Sequence, residues 1–372
     1  MILLFLESWP VIVRVQTVIS IILLLSFFIF SCSILIQRTR KNNLGSLSFQ
    51  IIENYEEIVS NVIFDDTFEE KYMGSKGKKE LWQVLLGKYN NKLLYKEILI
   101  EVLIDLLKNL SGIFADRVIH IYKIIELDKH SLKKLESPKW EIKTRAVIEL
   151  SEMKVESAYR NIATYINHPN IILRSETRKA FVKFTPRNLN LFIKGVNSSI
   201  SYWEMMNLID VIDSRKNDYL PHFHPDFNSK NQSMIYFCLK VINYFKLVDY
   251  LDDVMLLIKH TDEEIRKLVI ASVGLLGGYN KIWILKERFR AENENMQLEI
   301  INTFSLIADN DDVPFLLNIA CSDYSNRLRL ASLKGILNLG DKGIPILNEL
   351  RNNSNDQPLV QMIAHTVDSR IL

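Results

Sequence analysis

Residues 262–278 read DEEIRKLVIASVGLLGG, and this stretch decides the fold. Ile265, Val269 and Val273 stand four residues apart and so form one apolar stripe along a helix, whereas a strand would need period two. Gly277 and Gly278 follow it as helix stop signals. The pattern recurs along the chain. With Arg266 as register, the equivalents are Lys143, Arg174, Met205, Tyr236, Gln297, Arg329 and Val360, spaced by 30 to 32 residues, which makes eight repeats. The residues one before, three after and seven after each register position are apolar in 20 of 24 cases, where a 48% apolar composition predicts roughly 11 to 12. The exceptions are Thr177, Glu204, Asn243 and Ser332.

Each first helix is followed by a second apolar one: around Ile162 and Ile166, at 189–193, 247–258, 283–289, 313–319 and 344–350. Pro186, Pro314 and Pro345 sit where second helices begin, a position that tolerates proline because its missing N–H has no intrahelical partner. Pro138, Pro169 and Pro358 stand just before first helices. No such pair buries its apolar face alone, so the expectation is an all-α fold, a solenoid of stacked helix pairs presenting an extended surface. In the third repeat, Pro221 and Pro225 interrupt the second helix, so the middle of the array is expected to be bent or reshaped.

The stretches 262–278, 325–350 (SNRLRLASLKGILNLGDKGIPILNEL) and 137–150 (SPKWEIKTRAVIEL) resemble the HEAT-repeat family, as found in bacterial-type membrane-anchored HEAT-repeat proteins. An acid, then Ile-Arg, a small residue and a terminal Leu-Gly match that family's first helix, and Gly343-Ile344-Pro345 matches the entry to its second. The resemblance covers about residues 133–372. It implies a binding scaffold. It also implies that Arg174, Arg266 and Arg329 form a structural ladder with acids such as Asp262 or Glu263, against the alternative of a phosphate-binding row.

Upstream, residues 81–132 carry apolar stripes at Leu99, Leu103, Leu106 and Leu110, and at Val118, Ile121 and Ile125, which predict a helical N-terminal cap off the ladder. Residues 15–36, VQTVISIILLLSFFIFSCSILI, hold no charge. As a helix they reach about 33 Å, enough for a hydrocarbon core of about 30 Å. Glu7 precedes the run and no base stands before Arg14, so a signal peptide fits poorly. Arg38, Arg40 and Lys41 flank its far side, and the positive-inside bias places the solenoid in the cytoplasm. The expected order is a short segment 1–14, a single transmembrane helix 15–36, a juxtamembrane connector 37–80 with one short helix, the cap 81–132 and the solenoid 133–372.

A formal charge of +2 excludes a protein whose whole surface serves nucleic acid. Three separated cysteines give neither a disulfide scaffold nor a zinc module. Cys238 and Cys321 are expected as small buried hydrophobes, and Tyr159 and Tyr165 as half-buried packing. His222, His224 and Asp226 form an H-x-H-x-D that would point one way on an extended segment, but with no fourth ligand nearby a turn is expected. No nucleophile or acid/base pair stands out, so neither enzyme nor cofactor is expected. The reading is a membrane-tethered adaptor that binds a protein partner, with no nucleic acid and no small-molecule substrate. Its alternatives are a HEAT-like enzyme of lyase or glycosylase type and the same scaffold on the extracytoplasmic side. The partner surface is expected on the second helices, where Lys281, Lys286, Arg288 and Arg290 would stand free beside a core running from Trp283 to Phe289; Lys286, Arg288 and Arg290 are the candidate contacts.

Overall fold

The computed structural model describes residues 19, 20, 22–24, 26–28, 30, 31, 51–73, 75–87, 92–185, 189–220, 223–307 and 309–368. Among these residues there is no strand; the regular structure is helical throughout. The chain divides into two compact bodies, residues 1–161 and 162–372.

In the N-terminal body, a helix at 51–63 is followed by Phe68–Tyr72, Ser75–Leu86, Lys92–Asn109, Ile113–Ile124, Leu127–Lys134 and Trp140–Glu152, the last being the first helix of repeat one. Residues 51–80 fall within the expected connector, yet the structure folds them into this body: Tyr55, Val59, Ile63 and Phe68 are fully buried. Two polar devices hold them. The Tyr55 hydroxyl donates to the Leu85 carbonyl at 2.7 Å. Arg117 caps the end of the 51–63 helix by donating to the Ile63 and Asp65 carbonyls at 2.7 and 3.1 Å, and it grips Glu69 with two further bonds of 3.0 and 2.8 Å. A guanidinium fork suits this double duty, because it satisfies orphan carbonyls and a carboxylate together. Of the upstream stripes, Leu99, Leu103, Val118, Ile121 and Ile125 are buried and Leu106 and Leu110 half-buried.

Part of the charge-free run 15–36 lies outside the described residues, as do Arg38, Arg40 and Lys41. Its described residues between 19 and 31 are helical, and Ile22, Leu23, Leu24, Phe27, Phe28 and Phe30 are exposed. Among the described residues no helix is long and apolar enough to cross a membrane.

The C-terminal body is built from the helix pairs that the ladder predicts. Its first helices are Ile171–Phe184, Tyr202–Asp213, Gln232–Tyr244, Glu263–Leu275, Glu294–Ile307, Asn326–Leu337 and Gln357–Val367, for repeats two to eight. Successive first helices pack together from repeat two to three and from four through eight. Of the 24 ladder positions all are buried except Ile142, Asn243 and Val367. Even the polar Thr177, Glu204 and Ser332 lie inside.

The second helices are Leu189–Gly195, Leu251–Met255, Ile282–Phe289, Val313–Cys321 and Gly343–Asn353. In repeat three only the four-residue Lys216–Tyr219 remains, where the prolines interrupt the sequence. The hairpin inside a repeat turns on a left-handed residue, filled by Gly277 (φ 70°), Gly340 (φ 68°) and, at non-glycine cost, Lys246 (φ 52°); Lys154 (φ 51°) does the same in the N-terminal body. There the N–H of the following residue closes on the first helix, as Leu247 on the Ile242 carbonyl (3.0 Å) and Gly278 on that of Val273 (2.7 Å). Several first helices open on side-chain caps, though that of repeat four does not. Asn170 accepts from the Ile172 and Leu173 N–H groups, Asp262 from Glu264 and Ile265, and Ser201 forms a reciprocal box with Glu204.

Candidate protein-binding groove

The arginine ladder is structural, with partners other than those expected. Arg266 donates to the His260 and Thr261 carbonyls (2.9 and 3.1 Å) and to Glu292 (3.2 Å). Arg329 donates to the Ala320 carbonyl (2.9 Å) and Asp356 (2.5 Å). Arg174 holds the His168 carbonyl at 2.9 Å. Each side chain thus seals the loop before its own helix, and two of them reach an acid one repeat further on. Asp262 and Glu263, the expected partners, are otherwise used: Asp262 caps its helix, and Glu263 accepts from Asn293 at 3.0 Å.

The second-helix cations are mostly not free, which corrects the sequence reading. Lys281 pairs with Asp252 and Lys286 with Asp312, each at 2.5 Å. Lys286 also lies over the Phe304 and Phe315 rings, and Arg288 pairs with Glu292. The cause is that Asp252 and Asp312, at the entries to neighbouring second helices, come within reach once the repeats stack. Arg290 alone of the four is exposed with no ion pair among the described residues. Trp283, expected at the core, is 57% exposed, whereas Phe289 is buried.

Cys238 is buried, and its thiol is pushed up to about 12 by desolvation. Cys321 is instead exposed, because it ends its helix. Tyr159 and Tyr165 are half-buried. His222 lies outside the described residues; His224 is exposed, and Asp226 accepts from the Asn228 N–H in a turn at 3.2 Å. Among the described residues no group of His, Cys, Asp or Glu is placed to hold a metal ion.

A second core position, four after each register residue, governs the surface. It holds Val147, Ile209, Ile270, Ile301 and Leu333, all buried, and Ala364, exposed in the last repeat, but Arg178 in repeat two and Lys240 in repeat four. Arg178 is fully buried and pairs with Glu204 at 2.8 Å. Its remaining N–H groups go to the carbonyls of Ile166, Ser198 and Ser199, each at 3.1 Å, and to the Ser198 hydroxyl at 2.7 Å. The polar Glu204 in the apolar stripe is therefore the counter-ion of a buried arginine. Among the described residues Lys240 has no carboxylate partner, and the position equivalent to Glu204 in the next repeat is Ile265. An unpaired ammonium is too costly to bury. It stays half-buried, 5.8 Å from the Tyr202 ring centre and 5.5 Å from that of Tyr236.

These two tyrosines rim a groove of about 460 Å³ on the first-helix side of repeats three to six. Met206, Ile209, Leu268 and Ala271 give it an apolar lining, and Lys240, Lys267, Glu264 and Glu299 charge its edges. The first helices of repeats three and four are tied near their ends, by the Ile200 N–H on Ser233 (2.8 Å) and the Tyr244 hydroxyl on Asp213 (3.4 Å), and the groove opens between them. Burial pushes the Glu299 carboxyl above the usual carboxylate range, against the pull of Lys267. Asn243, the polar break in the stripe, also lines the groove, and its buried Oδ1 accepts no hydrogen bond. Trp203, beside Tyr202, is 74% exposed. Counting Glu204 and Asn243 as departures flags this region in the sequence; the second core position, which reveals Arg178 and Lys240, escapes a stripe defined only by steps of four.

The N-terminal body holds a chain of buried polar groups that looks chemical. The Tyr122 hydroxyl donates to Ser131 (2.8 Å), Ser131 donates to Glu149 (2.5 Å), and Lys134 bridges Glu149 (2.5 Å) to Glu97 (2.8 Å). His130 Nε2 lies 2.6 Å from Glu97. Burial raises the Glu149 carboxyl. Burial also opposes ionisation of Glu97, but bonds from His130 and Lys134 outweigh it and hold that carboxyl at about 2. Ser131 is fully buried and meets no substrate, so the chain joins helices.

No protein-family model matches the chain, and no curated protein matches it in sequence. Among solved structures, an engineered protein matches with a TM-score of 0.39 at 13% identity, over 78% of this chain and 87% of its own. The complex of CpcE and CpcF of phycocyanin lyase from Nostoc sp. PCC7120 matches with a TM-score of 0.25 at 11% identity, over 73% and 94%. At these scores neither likeness assigns a fold or an activity.

Proposed function

We propose that the chain is a membrane-tethered scaffold of HEAT-type helix pairs that binds a protein partner at the cytoplasmic face, residues 15–36 being the anchor. The observation that carries the partner reading is the groove of repeats three to six, where exposed aromatic rings and a lysine in no ion pair among the described residues border an apolar floor. Interfaces favour that composition: aromatic anchors on a desolvated floor, with charges at the rim. Both signs of charge stand on the rim, which suits a protein better than nucleic acid, for which an unbroken basic stripe is needed. The anchor reading is supported by the charge-free run and by the exposed apolar side chains at 22–30. A tether raises local concentration, so a modest contact with another membrane-associated protein suffices.

The test has two arms. Deleting residues 1–40 should move the protein to the soluble fraction with its helical circular dichroism intact; retention on salt-washed membranes removes the anchor. Tyr202→Ser with Lys240→Glu should abolish co-purification of whichever membrane protein the wild type retains, with the melting temperature shifted by no more than a few degrees. Undiminished recovery moves the interface off the groove, and Arg290→Glu then tests the second-helix side.

A further inference from the structure

The N-terminal body carries a second groove, of about 610 Å³, between helices Lys92–Asn109 and Trp140–Glu152. We propose that it seats a basic amphipathic helix of a protein partner. Its floor is apolar, with Leu94, Ile104 and Ile148 half-buried. Its lining carries five carboxylates, Glu97, Glu101, Asp105, Glu141 and Glu149, against Lys108 and Arg145. Lys134 behind the groove answers Glu97 and Glu149, so the excess acid sits on the outer edges. There Glu101, on one wall, and Glu141, on the other, are exposed and in no ion pair among the described residues, Glu101 feeling only the more distant charge of Lys108. The Lys108–Asp105 pair is solvent-exposed on both sides and readily exchanged for another cation.

The shape fits the same occupant. From Leu94 to Lys108 the wall runs about 21 Å at a helical rise of 1.5 Å, the length of a helix of about 14 residues laying every third or fourth side chain on the floor. Lys134 links Glu97 on one wall to Glu149 on the other, so the groove is held open before a ligand arrives and little ordering is needed on binding. Nucleic acid and anionic lipid are repelled by the same carboxylates. The inference rests on the scaffold reading only in taking the occupant to be a protein.

The probe is an 18-residue fluorescent peptide of leucine and lysine with leucines at helical i, i+3, i+4, i+7 spacing. It is titrated onto the full chain in phosphatidylcholine nanodiscs, with empty nanodiscs as blank. The expected result is saturable binding that a leucine–glutamate peptide of the same pattern lacks. Glu101→Lys with Glu141→Lys, and separately Ile104→Gln, should each weaken it at least tenfold, while Asp341→Lys, an exposed acid elsewhere, stays within twofold. If Ile104→Gln loses its helical signal, the two charge reversals, which lie on exposed positions, decide. Absence of saturable binding, equal binding of the glutamate peptide, or equal weakening by Asp341→Lys overturns the proposal. So does self-association that the peptide cannot displace, since the groove would then hold a second copy. None of these results touches the Tyr202 and Lys240 test above, so the two readings fail separately.

Discussion

Repeats five to eight and repeats two to four follow one register with different outcomes. In the former, the residues three and four after each register position are all apolar or small. In the latter, Arg178 and Lys240 occupy the same place one turn into the core. Arg178 finds Glu204 of the next repeat and is swallowed whole; Lys240 leans instead over Tyr202 of the preceding repeat and over Tyr236, and borders a groove. The same core position is thus closed where its cation meets a carboxylate and lies beside an open groove where it does not.

That comparison breaks most sharply at the buried pair. Arg178→Met leaves Glu204 uncompensated among apolar side chains and should cost about 3 to 5 kcal/mol in chemical denaturation. Arg178→Met with Glu204→Leu should recover only the part of that loss due to the uncompensated carboxylate, because the Ile166, Ser198 and Ser199 carbonyls still lose their donor and Ser201 its reciprocal cap. Losses that simply add would mean that the two charges do not depend on each other.

Next in size is the regular region. Ile300→Ala, at a fully buried ladder position, should cost about 2 to 4 kcal/mol. Lys281→Ala should cost under about 0.5, since its Asp252 partner is 82% exposed and a surface pair contributes little. Equal unfolding midpoints for the two variants would remove the register.

The helix pairs were legible because burial by period four repeats eight times, and 21 of the 24 positions read that way are inside. The sites were less so. Lys286 reads as free because Asp312, which opens the next second helix, reaches it only once the repeats stack, and Arg288 because its partner Glu292, four residues on, lies past the end of its helix. The helix at 51–63 reads as a linker because its seven neighbouring acids suggest solvent, while Tyr55, Val59 and Ile63, four apart, are the face that is buried. Arg178 was invisible to a search for exposed charge, since only the fold brings Glu204 to it.

A smaller effect is expected at Asn243. Asn243→Val restores the apolar stripe and removes a buried acceptor without a donor, so it should stabilise by about 1 kcal/mol. If the groove binds through that acceptor, partner recovery falls while stability rises. A variant that is both less stable and unchanged in binding would mean that the amide is satisfied by water and plays no part.

The smallest effect is at the hairpin turn, where the two regions differ by one residue. Gly277 and Gly340 take the left-handed conformation in repeats five and seven, and Lys246 takes it in repeat four at φ 52°. For a residue with a Cβ that conformation costs roughly 1 to 2 kcal/mol. Glycine removes the cost but gives back roughly 0.5 to 1 kcal/mol through the freedom of the unfolded chain. Lys246→Gly should therefore stabilise the C-terminal body by about 0.5 kcal/mol, and Gly277→Lys should destabilise it by the same order, both read as shifts in urea midpoint at constant slope. The signs matter more than the sizes. Should Lys246→Gly lower the midpoint, the lysine side chain contributes packing or charge near Asp213 and Tyr244 that outweighs its backbone strain, and repeat four would depart from the regular repeats in its turn as well as in its helix.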